Sequence, residues 1–131
     1  MASSGLNNIA LLVGRIFIGT LFLVASYNKL KAIGGSVGYF TKLGIPSPSI
    51  AAPSVACFEL ALGILVIVGF WTRCVALAIA IFCIIAAYVA HTNWVDANQL
   101  NHFLKNFAIA GGCLALFVSG AGAYSVDGRR R

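Results

Sequence analysis

Apolar residues come in four long runs along this chain, parted by short polar stretches. The runs extend from about Ile9 to Leu30, Pro53 to Phe70, Cys74 to Ala90 and Phe103 to Gly120. Each is close to the ~20 residues that a helix needs to cross a hydrocarbon core. The pattern predicts an all-α fold, a transmembrane antiparallel four-helix bundle, with residues 1–131 forming a single domain. Four crossings place both termini on one side.

The connections refine this picture. The first loop, about Ala32 to Ala52, is the longest. Within it Val37, Phe40 and Leu43 recur at steps of three beside Tyr39, which suggests a short amphipathic helix at the membrane interface. Pro53 suits the first turn of the second crossing, where a missing N–H costs nothing. Asn7 or Asn8 is placed to cap the first crossing. The turn Phe70-Trp71-Thr72-Arg73 is short, so the second and third crossings form an antiparallel hairpin with Trp71 as an interfacial anchor. Gly14, Gly19, Gly63 and the Ala76/Ala80 pair allow close helix approach. Gly120-Ala121-Gly122 stops the fourth crossing, and residues 124–131 form a polar, basic tail.

Composition agrees with a bilayer as solvent. The chain is 60% hydrophobic and 9% charged, against about 25% charged in an average soluble domain. Its net charge of +6 does not point to nucleic acid, which calls for a basic face with interleaved aromatics. The basic residues sit at segment ends and in the tail, Arg129 to Arg131, where they set topology and attract anionic lipid. Residues 1–8 carry no Lys or Arg and no A-x-A site closes the first run, so it reads as a retained helix.

Cofactor chemistry has little support. Cys57, Cys74, Cys83 and Cys113 form no C-x-x-C and read as small hydrophobes. Cys83 and Cys113 fall at similar depth on neighbouring helices. His91 and His102 are eleven residues apart with no cysteine or carboxylate at ligand spacing. No metal or nucleotide motif is found.

With both termini on one side, that side holds Arg15, Arg73 and Arg129 to Arg131, and the other holds Lys29, Lys31, Lys42 and Lys105. The three tail arginines, close to the last helix end, favour cytoplasmic termini.

Three charges need partners. Glu59 lies roughly 9 Å below the non-cytoplasmic edge and Lys105 roughly 3–6 Å below it. Helical side chains tilt toward their own N-terminus, so Glu59 and Lys105 lean the same way, while Arg15 leans toward the opposite edge. A cluster of Glu59, Lys105 and Lys29 is expected, with Asn28, Asn106, Tyr88 and His91 nearby. Arg15 is expected to snorkel to cytoplasmic headgroups or helix-end carbonyls. The cluster reads either as an internal staple or as a polar vestibule for a headgroup, a quinone ring, a small solute or a proton.

Several motifs follow one another in a telling order. Leu12-Val13-Gly14-Arg15 with Gly19 and Phe22 precedes Asn28-Lys29-Leu30. Tyr39-Phe40 and Leu43-Gly44-Ile45-Pro46 follow. Glu59 with Gly63 leads to Gly69-Phe70-Trp71-Thr72-Arg73, and Tyr124-Ser125-Val126-Asp127 closes the series. From about Ile9 to Asp127 the chain resembles the DoxX family of small four-helix membrane proteins. The resemblance implies a four-helix bundle in a bacterial inner membrane, with motif positions at Arg15, Lys29, Glu59, Arg73 and Asp127. Some relatives are subunits of a thiosulfate:quinone oxidoreductase and others accompany oxidative-stress complexes. The cysteine pair of four-helix thiol–quinone enzymes is missing, and no catalytic residue is assigned. The expected role is an accessory or assembly subunit, as a homo-oligomer or within a larger complex. The alternatives are a membrane subunit of a quinone-linked oxidoreductase and a small-solute or lipid transporter. The last would favour inverted repeats, which the sequence lacks.

Overall fold

The computed structural model describes residues 4–130. Arg131, the last tail arginine, lies outside the described residues. Six helices follow in order: α1 (Gly5–Lys31), α2 (Ile33–Lys42), α3 (Pro48–Val68), α4 (Thr72–Ala90), α5 (Ala97–Ser119) and the single turn α6 (Val126–Arg129). The four long helices have the length and apolar composition of membrane spans. They form the expected antiparallel bundle, with the short amphipathic α2 in the first loop. Phe40 is the residue that α2 buries, and α2 packs mainly on α3.

Helix starts differ from the expectation in two places. Ser4, not Asn7 or Asn8, caps α1 by accepting from the Asn7 N–H at 3.1 Å. Asn8 instead accepts from the Ala123 N–H at 3.0 Å, tying the start of α1 to the tail. Helix α3 begins at Pro48, and Pro53 lies inside it. Pro48 takes the first-turn role because its fixed φ is preorganised for a helix. Pro53 then leaves the Ser49 carbonyl without its i+4 donor, a tolerable loss near a helix start.

The bundle is built from two helix pairs. α1 packs along α3, and α4 along α5, while contact between the pairs is sparser and runs mainly through α3 and α4. The first pair is closed by glycines: a Cβ on Gly19 would meet the Ile67 side chain and lie 2.8 Å from the Gly63 carbonyl oxygen, and one on Gly63 would lie 3.0 Å from the Gly19 oxygen. The core between the pairs holds small and branched residues, among them Val66, Ala76, Ile79, Ala80 and Ala110. Cys83 and Cys113 are buried in the same cluster as free thiols.

Gly19→Val should therefore force α1 from α3 and lower detergent-solubilised stability by about 1–3 kcal/mol. Gly14→Ala, whose added Cβ meets nothing within 4 Å, should melt like the parent in a thermal denaturation series.

Candidate functional site

Two polar assemblies occupy opposite ends of the bundle. The first is at the end that holds Ser4 and the tail. There the α3–α4 turn is very short: Gly69 ends α3 at φ 74°, and Trp71 opens α4 at φ 49°. A positive φ is easy for glycine and strained for tryptophan, and Trp71 supplies no side-chain cap. Asp127 takes that role. Its Oδ1 accepts from the Trp71 N–H at 2.9 Å and its Oδ2 from the Thr72 N–H at 2.8 Å. The Asp127 N–H donates to the Gly69 carbonyl at 2.9 Å.

The arginines answer the opposite helix polarity. Arg15 is fully buried. Its Nη1 donates to the Ile67 carbonyl at 2.6 Å and more weakly to Val66, at the C-terminus of α3, and its Nη2 donates to the Tyr124 carbonyl of the tail. Of its two expected destinations, Arg15 takes helix-end carbonyls and not headgroups. Arg73 Nη1 donates to the Phe117 and Val118 carbonyls at 3.2 and 2.9 Å, at the C-terminus of α5. Each charge sits at the helix end whose dipole it complements. Burial pushes the Asp127 carboxyl up, but the Thr72 and Trp71 hydrogen bonds and the charge of Arg130 outweigh it and hold the group below the ordinary carboxylate range.

The second assembly lies toward the other end, on a cavity of 650 Å³ between the helix pairs. Every long helix and α2 contribute to its wall. Phe22, Phe82, Cys83 and Ile109 line its apolar part, and Lys29, Glu59, His91, His102, Lys105 and Asn106 its polar part. Lys29 Nζ lies 2.8 Å from Glu59 Oε1, with the Glu59 side chain 6% and the Lys29 side chain 27% exposed. Beyond that ionic contact, Glu59 Oε1 takes no well-aligned hydrogen bond.

The other expected members divide. Lys105 lines the same cavity but makes no ion pair with Glu59 among the described residues. Asn106 donates to the His102 carbonyl at 3.1 Å, one turn back on its own helix, and not to the carboxylate. His91 Nδ1 faces the Gln99 amide oxygen at 3.0 Å, and its ring stacks on His102 with centroids 5.0 Å apart. Tyr88 is absent from the cavity wall and meets Phe103 and Phe107 edge-on. Asn28 is exposed at the end of α1. Sequence reasoning missed the contribution of α2, which adds Tyr39 and Phe40 to the wall. It also missed His102, whose signal was its single helical turn from Lys105. Among the described residues no group of three or more His, Cys, Asp or Glu is gathered to hold a metal ion.

The fold and these two assemblies define a small multi-pass membrane protein with a tied helix end and a polar-walled cavity. The chain belongs to the DoxX family, whose pattern matches residues 10–92. It is 34% identical over 122 residues to the inner membrane protein YqjF of Escherichia coli K12, covering 93% of this chain and 92% of that protein. It is also 34% identical over 127 residues to the inner membrane protein YphA of the same strain, covering 92% and 90%. No solved structure gives a significant match.

Two outcomes follow from these geometries. Lys29→Met alone should destabilise the protein by ~2 kcal/mol, less than for a fully enclosed pair because Lys29 keeps some solvent contact. Lys29→Met combined with Glu59→Leu should recover most of that loss in the same melting assay. Asp127 has a depressed folded pKa, so its stabilisation is present above the ordinary carboxylate pKa of ~3.9 and is lost as pH falls below it. Asp127→Asn should melt lower than the parent at pH 7, and the gap should close on acidification.

Proposed function

We propose that this protein is an accessory subunit of a bacterial inner-membrane complex, and that its own contribution is to hold an amphipathic molecule in the cavity between its helix pairs. The cavity carries the ligand-holding part of this reading. Protein interiors leave few voids larger than a water molecule, and an ion pair acting only as a staple needs no 650 Å³ space beside it. The volume falls within the ~300–1,000 Å³ of small-molecule sites, and apolar walls with a few convergent polar groups are their usual lining. The names of the two Escherichia coli relatives support an inner-membrane location. Arg73 and the tail arginines support cytoplasmic termini, which puts the cavity in the outer half of the bilayer.

A quinone is the second reading. The Lys29 ammonium and the Tyr39 hydroxyl stand on the wall as donors for a ring carbonyl, and the apolar remainder suits an isoprenoid tail. The chain would then serve a quinone-linked oxidoreductase as a binding subunit.

Ala86 lines the cavity, and Ala86→Phe should obstruct it with a ring. Native purification followed by mass spectrometry of extracted small molecules should recover an amphiphile from the parent, in near-stoichiometric amount, and little from Ala86→Phe. Equal recovery from both would remove the cavity from the function.

A further inference from the structure

We propose that the cavity is selective for a single-chain amphiphile with a carboxylate head, the chemistry of a long-chain fatty acid, and that Lys105 receives the head. The inference rests on the ligand-holding role above and adds the class of ligand.

Charge arithmetic is the first argument. The chain has three acidic residues in all. Glu59 is 2.8 Å from Lys29, Asp127 accepts from Trp71 and Thr72, and Asp96 caps α5 by accepting from the Asn98 N–H at 2.9 Å. None of them lies within ion-pair distance of Lys105. The polar wall of the cavity therefore presents one neutralised pair and one unneutralised ammonium, with His102 a turn away on the same helix. A carboxylate head forms a charge-assisted hydrogen bond with that exposed ammonium, which a neutral head does not. A cationic head would meet like charge.

Volume is the second argument. Taking ~30 Å³ per water-sized group, 650 Å³ accommodates on the order of twenty non-hydrogen atoms, one long acyl chain with its head. The space is open on one side, so the second chain of a phospholipid would have to lie outside it. The layout also fits an elongated molecule. Lys105 and Asn106 stand toward the loop end of α5, and Ile109, one turn further in, joins Phe22 and Phe82 on the apolar wall. The head would stay near the interface and the chain would run toward the middle of the bilayer.

The test measures radiolabelled oleate and radiolabelled oleyl alcohol, matched in chain and differing in head charge, on the full chain in neutral-detergent micelles. Oleate should bind about tenfold more tightly than the alcohol. Lys105→Gln should abolish that preference, and Lys105→Arg should restore it. Lys105 is exposed, so these variants should fold, which a melting temperature like the parent's verifies. Equal binding of the two ligands, or an oleate affinity untouched by Lys105→Gln, overturns the carboxylate assignment and leaves the cavity reading standing. Phosphatidylglycerol displacing oleate at equal or lower concentration overturns the single-chain assignment. Binding of neither ligand overturns both this inference and the role from which it starts.

Discussion

A helix end buried within a membrane bundle has no ready water to satisfy its last carbonyls or first N–H groups. This bundle meets that constraint with charge. Arg15 reaches across from α1 to the terminal carbonyls of α3, and with its other nitrogen it holds the Tyr124 carbonyl. Unsatisfied backbone groups cost several kcal/mol each in hydrocarbon, so a fully buried guanidinium is tolerable here because it answers such groups. Arg73 does the same for α5, and Asp127 answers the opposite polarity at α4. Three side chains from three parts of the sequence thus tie one end of the bundle together.

The tied end makes the other end intelligible. With α1 close against α3, α4 against α5, and contact between the pairs sparser, the helices leave room between them toward the loop end. The Lys29–Glu59 pair belongs to the first helix pair alone, since both residues come from α1 and α3. It anchors one wall of the cavity without drawing the opposite wall inward. Lys105, from the second pair, faces the same space from across it.

Architecture was legible in the sequence because hydropathy at span length is a strong signal and the bilayer permits few solutions. Helix α2 was legible from three residues at helical spacing, yet its place on the cavity wall was not, because spacing tells which face is apolar and not what that face meets. The lean of Glu59 toward the loop end was readable from helix geometry. Its choice of Lys29 over Lys105 was not, since that depends on which helices pair. Gly19 against Gly63 settles the pairing, and a glycine does not announce its partner. The role of Asp127 was hidden for a similar reason: it acts on backbone N–H groups 55 and 56 residues away. Pro53 misled because two prolines compete for one helix start and the earlier one takes it.

The Tyr124 carbonyl that Arg15 holds lies 109 residues further along the chain. While the chain is being made, α1 enters the membrane carrying a guanidinium whose acceptors do not yet exist. Those on α3 arrive next, and the Tyr124 carbonyl follows only after all four long helices have been made. A chain cut short before Tyr124 would keep the α3 carbonyls on Arg15 Nη1 and leave its Nη2 without that acceptor. Closure of this end of the bundle in this way waits for the segment that follows α5.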